Sequence, residues 1–396
     1  MSDRINNSMD IDEPILPELS MVFDFGDVAT DSQHSEEDFL ERISELSKQG
    51  YSFLNEDDTK NAMIEFKRIL ELDACNNYAL VGLGDAMRKE KKYDEAITYY
   101  EECLKHHPKN NYALFGLADC YKIQRKYSQS IDAWNKYLKL DPYNVTVLTR
   151  IADAHRKNGD FDEAKAIYAK VLTLSENNTY ALIGLGHLYY DFKKYREALG
   201  YWSKVLELSG EDIDIRVLTS IGNCYRKLKT FNKALPYFIA AVKKDNANFY
   251  ALFGLADCYR GLNEHENSIH YWKAILDLDP HNKVILTRLG DAYRNIGDFD
   301  KAEDTYNRAM SIAYDSYAAL GLAILQKERG NYFEAISNLS EIMVREKKSY
   351  RIYLELAKCY VQVGEKEKAL QVLENFKQYG IRNSEINDFY NKIKNV

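Results

Sequence analysis

Six pairs of side chains recur with one spacing: Asp85/Arg88, Asp119/Lys122, Asp153/Arg156, Asn223/Arg226, Asp257/Arg260 and Asp291/Arg294. Residues three apart share one face of a helix, so each pair sets an acceptor beside a cation. Tyr78, Tyr112, Tyr180, Tyr250 and Tyr317 recur about two turns earlier, with Phe115, Ile183 and Phe253 between. Such a row has the chemistry to hold an extended peptide. Carboxylates accept its N–H groups, arginines donate to its carbonyls or acidic side chains, and tyrosines pack against it. It equally suits a self-satisfied structure, in which each Asp pairs with an Arg of its own or the next helix at under ~1 kcal/mol per partly exposed pair. Between the third and fourth pairs the pattern breaks: His187 replaces the Asp and Tyr190 the cation. With Tyr180 and Ile183 they make a more apolar patch, either a specificity pocket or drift. Arg150 and Arg288, in two LTR segments, are candidates for an anionic ligand or for salt bridges.

Reactive groups do not converge in the same way. The histidines (34, 106, 107, 155, 187, 265, 270 and 281) form no HExxH and no Cys/His arrangement. The six cysteines include no CxxC, and Cys120, Cys224, Cys258 and Cys359 each precede a residue of a predicted helix, Tyr, in contexts such as ADCY. They read as small buried hydrophobes. No glycine motif follows a strand, because no strand is predicted, which excludes the α/β enzyme folds. The expectation is a protein that is not an enzyme and has no cofactor and no metal site.

Composition narrows the class further. Pro is scarce at six residues, while Tyr reaches 31, which fits a soluble helical protein. No apolar run approaches the ~20 residues of a membrane span. The start, MSDRINNSMDIDEP, has neither a basic nor an apolar stretch, so no signal peptide is expected and the cytoplasm is the default location. The net charge of −8 is concentrated at one end: residues 1–40 hold eleven Asp/Glu and one Arg.

The elements that must position these residues are legible as repeats. YALFGLADCY occurs at 112–121 and again at 250–259, and LTRIADAHRKNGDFDEA at 148–164 returns as LTRLGDAYRNIGDFDKA at 286–302. A small residue marks each of ten units: Gly50, Gly84, Ala118, Ala152, Gly186, Gly222, Ala256, Gly290, Ala323 and Ala357, mostly 34 residues apart. Twelve positions later another small residue follows, and four beyond it a bulky one: Phe66, Tyr100, Trp134, Tyr168, Trp202, Phe238, Trp272, Tyr306, Leu339 and Leu373. Small residues on facing helices let two antiparallel backbones approach, and the bulky side chain fills the space beside them. A two-helix unit cannot bury its own apolar face, so neighbours must stack. Pro108, Pro142 and Pro280 fall where a helix must stop, and Asn76, Asn110, Asn144, Asn178, Asn248 and Asn282 suit N-caps. Pro236 lies near enough to a helix start to be tolerated.

A 34-residue unit with L-G/A-x-x-Y, a later Ala, an aromatic residue and a closing Pro resembles the tetratricopeptide repeat, over roughly residues 43–383. The resemblance implies an all-α fold: a right-handed α-solenoid superhelix of about ten helix-turn-helix units, making about one superhelical turn. The units run at about 43–76, 77–110, 111–144, 145–178, 179–214, 215–248, 249–282, 283–315, 316–349 and 350–383, the whole array being assigned to 39–383. It also implies a concave groove lined by the first helices and holding a peptide or partner segment, with the row described above as its wall. Residues 384–396 read as a capping helix, and GEDID at 210–214 as an insertion giving either a longer turn or a change of pitch. Trp134, Trp202 and Trp272 mark alternate units, so over units three to eight the building block is a pair of 68–70 residues. No three successive units carry the Lys/Asn, Asn and Lys/Arg set of chaperone-tail clamps.

Residues 1–38 form an acidic N-terminal segment whose low packing potential favours disorder. Within it, residues 11–28 combine carboxylates with Ile15, Leu16, Met21, Val22, Phe23 and Phe25. That pattern suits a linear motif that contacts the groove intramolecularly or recruits a second protein, or else a solvated leader. The expected function is a protein-interaction scaffold or adaptor, co-chaperone-like, with an unidentified protein or peptide partner and no membrane. Two alternatives remain. One is RNA binding, which would need a basic patch that the sequence does not supply; the other is self-association.

Overall fold

The computed structural model describes residues 33–395, all helical with short turns. Residues 11–28 lie outside the described residues. Residues 33–38, grouped with the N-terminal segment from sequence, are the first turns of α1.

Twenty helices pair in sequence order. They are α1 Gln33–Asn55 with α2 Thr59–Leu72, α3 Asn77–Lys89 with α4 Tyr93–His106, and α5 Asn111–Ile123 with α6 Tyr127–Leu138. Next come α7 Val145–Asn158 with α8 Phe161–Leu174, and α9 Thr179–Asp191 with α10 Tyr195–Ser209. Then follow α11 Ile215–Lys227 with α12 Phe231–Lys244, and α13 Phe249–Gly261 with α14 His265–Leu278. The last pairs are α15 Lys283–Asn295 with α16 Phe299–Ile312, α17 Ser316–Glu328 with α18 Tyr332–Arg345, and α19 Tyr350–Gln362 with α20 Lys366–Lys377. A final helix, α21, spans Ser384–Lys394. The chain divides into two compact units, the second starting at Asp214. The GEDID segment is thus a turn between units, with a 3-10 stretch at Gly210–Asp212.

Local sequence explains the starts and stops. All six asparagines named above cap a first helix, each side chain accepting from the N–H three residues on, at 2.9 to 3.2 Å. The three prolines fall between helices, and Pro236 sits inside α12.

Packing turns on the bulky residue of each second helix. Tyr100 is fully buried, and its ring is gripped from both sides by backbone. A Cβ placed on Gly84 of its own repeat would lie 2.5 Å from the ring, and one on Gly116 of the next repeat 2.4 Å from Cζ. Phe66, Tyr168, Phe238 and Tyr306 meet Gly82, Gly184, Gly254 and Gly321 in the same way. After Trp134 and Trp272 the corresponding residues are instead Arg150 and Arg288. Within each unit, first helices touch the next first helix at α1/α3, α3/α5, α7/α9, α11/α13, α15/α17 and α17/α19. At α5/α7 and α13/α15, where the arginines enter, the first helices pack less closely than these. A ring tip therefore draws repeats together through glycine, and a tryptophan lets an arginine wedge them apart.

Five cysteines are buried and all six are free, with burial pushing the Cys103 thiol up to about 11 and Cys120 up to about 12.

Candidate functional site

The row of polar pairs lies on the first helices, and most of its charges meet partners inside the fold. In the second repeat, Asp85 accepts from the Tyr100 hydroxyl at 2.6 Å and from Arg88 at 3.1 Å. Asp153 and Asp291 are held likewise by the hydroxyls of Tyr168 and Tyr306, at 2.5 and 2.7 Å. Burial beside a carboxylate drives the Tyr100 and Tyr168 hydroxyls far above the usual tyrosine range, so they remain donors.

Where the ring is tryptophan, no hydroxyl reaches the carboxylate, and the Nε1 donors of Trp134 and Trp272 have no hydrogen-bond partner. An arginine supplies the need. Arg150, 6% exposed, donates to Asp119 at 2.9 Å and lies over the Phe115 ring at 4.8 Å. Asp257 accepts from Arg226 at 2.8 Å and Arg260 at 2.7 Å, with Arg288 at 3.7 Å and over Phe253. Where the ring is Phe238 there is no hydroxyl either, and the facing residue is the neutral Asn223, which accepts from Arg226.

The cations also tie one repeat to the next. Arg156 approaches Asp153 at 3.6 Å and bridges to Asp191 at 2.7 Å; Arg294 bridges to Glu328 at 2.7 Å. Neither acidic partner was apparent from sequence, although each stands at one fixed position late in its first helix. Lys122 is half-buried.

Three residues expected as an apolar rung, Phe115, Ile183 and Phe253, are each 8% exposed and belong to the core rather than to an open wall. Arg150 is likewise enclosed, beside Asp119. His187 and Tyr190 are half-buried and gather around Trp202, with ring centroids 5.4 and 6.0 Å away; Tyr195 packs on Tyr190. The tyrosines at the helix starts are the open members of the row. Tyr180 is 51% and Tyr317 59% exposed, while Tyr78, Tyr112 and Tyr250 are half-buried.

A cavity of about 740 Å³ at the end of the second unit was not anticipated. It is lined from α17, the start of α18, α19, α20 and α21. Its sequence signal was an i, i+3, i+4 face on the last helix, formed by Phe389, Lys392 and Ile393. Among the described residues no group of His, Cys, Asp and Glu could hold a metal ion, and no helix is long and apolar enough to cross a membrane.

Stacked antiparallel helix pairs, with small residues at the crossings and a ring locked between repeats, define an α-helical repeat protein. Family models described as tetratricopeptide repeat match residues 81–145, 155–216, 222–283 and 285–316, together more than half of the chain. The chain belongs to the tetratricopeptide-repeat family. Among solved structures, a tetratricopeptide repeat protein from Parabacteroides merdae matches 64% of this chain and 99% of its own at 18% identity, with a TM-score of 0.52. YrrB, described as having an unusual peptide-binding site, matches 48% of this chain and 96% of its own at 22% identity and a TM-score of 0.42. A chain of the APC/C hetero-tetramer Cut9–Hcn1 matches 89% and 76% at 15% identity and a TM-score of 0.46. No curated protein matches the sequence.

Proposed function

We propose that the chain is a non-enzymatic interaction scaffold, an adaptor that holds partner segments against the first-helix rows of its repeats. The observation that carries this reading is the division of labour within each row. The charges are largely satisfied inside the fold, while at one repeat position Tyr180 and Tyr317 stay open and Tyr78, Tyr112 and Tyr250 stay half-exposed. Tyrosine gives large, amphipathic contact area with few torsions to freeze, which is why it anchors interfaces. The arginine pairs set the spacing of the row, and the tyrosines do the gripping.

The test compares partners retained by the full chain with those retained by a variant carrying Tyr180→Ser, Tyr250→Ser and Tyr317→Ser. Loss of partners at an unchanged melting temperature is expected. An identical partner list would sink the reading. Charge reversals at Arg156 or Arg294 are unsuitable, because those side chains bridge repeats and their loss would unsettle the stack.

A further inference from the structure

The cavity at the end of the second unit is built unlike the rest of the array. Lys327 and Glu328 end α17, Tyr332 begins α18, and Lys358, Val361 and Gln362 lie along α19. Gly364 and Lys366 form the turn into α20, and α21 closes the space with Phe389, Lys392 and Ile393. The last helix is therefore more than a cap. It buries Ile386 and Ile393 against the last repeat and turns Phe389 and Lys392 toward the opening.

The charges here are not balanced as they are elsewhere. One buried carboxylate, Glu355, accepts from both Lys327 and Lys358, the second at 2.8 Å. Two lysines thus share one counter-ion. Glu328 already accepts from Arg294, so it offsets a cation outside the cavity. Lys366 and Lys392 are exposed and make no salt bridge among the described residues. Their pairing with each other is impossible, so the rim keeps an uncompensated positive charge. Val361, Phe389 and Ile393 line the same cavity, whose volume of about 740 Å³ leaves room for a bulky apolar side chain.

We propose that this cavity is a second binding site, which receives an acidic segment of a partner protein bearing one aromatic or large aliphatic residue. The carboxylates of that segment pair with Lys366 and Lys392, and with the shared Lys327 and Lys358. Its apolar side chain enters between Phe389 and Val361, where burial contributes the larger share of affinity. The lysines act mainly on encounter rate and on selection by sign of charge. A nucleic-acid strand fits less well, because Glu328 stands in the wall beside the apolar Val361, Phe389 and Ile393. The proposal rests on the scaffold reading, but it uses residues that the tyrosine rows do not.

The test uses the full chain and a fluorescent acidic hexapeptide with a central phenylalanine, followed by anisotropy. The Lys366→Glu, Lys392→Glu variant should melt as wild type and bind at least about tenfold more weakly. Replacing the peptide's phenylalanine by alanine should weaken binding to a similar extent, and a lysine-rich counterpart should not bind. The variant with all three tyrosine changes should bind the hexapeptide as wild type does, even where it has lost its other partners. Equal binding by wild type and the lysine variant would overturn the proposal. So would no binding to wild type, or tighter binding of polyuridylate than of the peptide. In each of these cases the result for the tyrosine rows would stand separately.

Discussion

The third and seventh repeats carry the same ten residues, YALFGLADCY, yet their buried aspartates sit in different electrostatic settings. For Asp119, burial outweighs the pull of Arg150 and Arg88 and holds the carboxyl above its ordinary range. For Asp257, burial pushes the same way, but Arg260, Arg226 and Arg288 prevail and hold it below that range. The largest pull on Asp257 comes from Arg260 of its own repeat, where the third repeat has Lys122, and a further difference lies one repeat upstream. Tyr100 and Asp85 hold Arg88 at home, whereas Phe238 brings no hydroxyl and faces neutral Asn223, which leaves Arg226 able to reach Asp257. The charge state of a repeat is thus set by its neighbour as much as by its own sequence.

The sharpest way to break this comparison is to remove the wedging arginines one at a time. Arg150→Met leaves Asp119 buried without its main counter-ion and should cost about 3–5 kcal/mol in urea unfolding. Arg288→Met leaves Asp257 with two closer guanidiniums and should cost about 1 kcal/mol, as for a partly exposed pair. Equal losses would show that the two sites are electrostatically alike.

A smaller effect comes from grafting the upstream difference. Asp85→Asn with Tyr100→Phe should release Arg88 toward Asp119 and lower the cost of Arg150→Met by about 1–2 kcal/mol, read as a coupling energy in a mutant cycle. No coupling would place the cause elsewhere.

Acid titration then tests the sign. Asp257, with its lowered folded value, contributes stability that is present above the ordinary carboxylate value of about 4 and lost as pH falls through the folded value. Asp119, with its raised value, contributes stability present below about 4 and lost as pH rises through its folded value. Asp257→Asn should therefore cost more at pH 7 than at pH 3, and Asp119→Asn more at pH 3 than at pH 7. Parallel pH curves for the two variants would refute the assignment.

The smallest difference lies in the turns. Arg125 and Asn263, equivalent in these two repeats, both have φ near 60°. That region strains a long side chain and suits Asn better. Arg125→Gly should raise stability by about 0.5–1 kcal/mol and Asn263→Gly by a few tenths at most, measurable as shifts in melting temperature.

Much of the fold was readable from sequence because packing fixes it at a constant interval. Gly84, Ala96 and Tyr100 meet at one crossing, and that crossing recurs at every repeat. The asparagine caps were readable for a local reason, since each bonds to its own helix. The site was less so. An i, i+3 spacing is the same whether Arg226 bonds only to Asn223 or also crosses to Asp257, so the inter-repeat bridges left no local mark. Phe115 and Ile183 looked like groove residues because periodicity shows that a helix has two sides, not which of them the next repeat covers. The terminal cavity needed α21 folded against the last repeat; its helical face was visible in the sequence, but not that its return would leave a cavity beside α17 and α19.

The grip of a ring tip by glycine in the following repeat has a consequence for how such a chain can be copied and cut. Neighbouring repeats are matched like lock and key: a tyrosine or phenylalanine must be followed by a repeat with glycine, and a tryptophan may be followed by arginine. Losing the third repeat alone would set the Tyr100 ring against Arg150, a collision. Losing the third and fourth together would set it against Gly184 and keep the match. Over the third to eighth repeats, gene duplication and deletion therefore have a reading frame of two repeats, written in the alternation of the rings there.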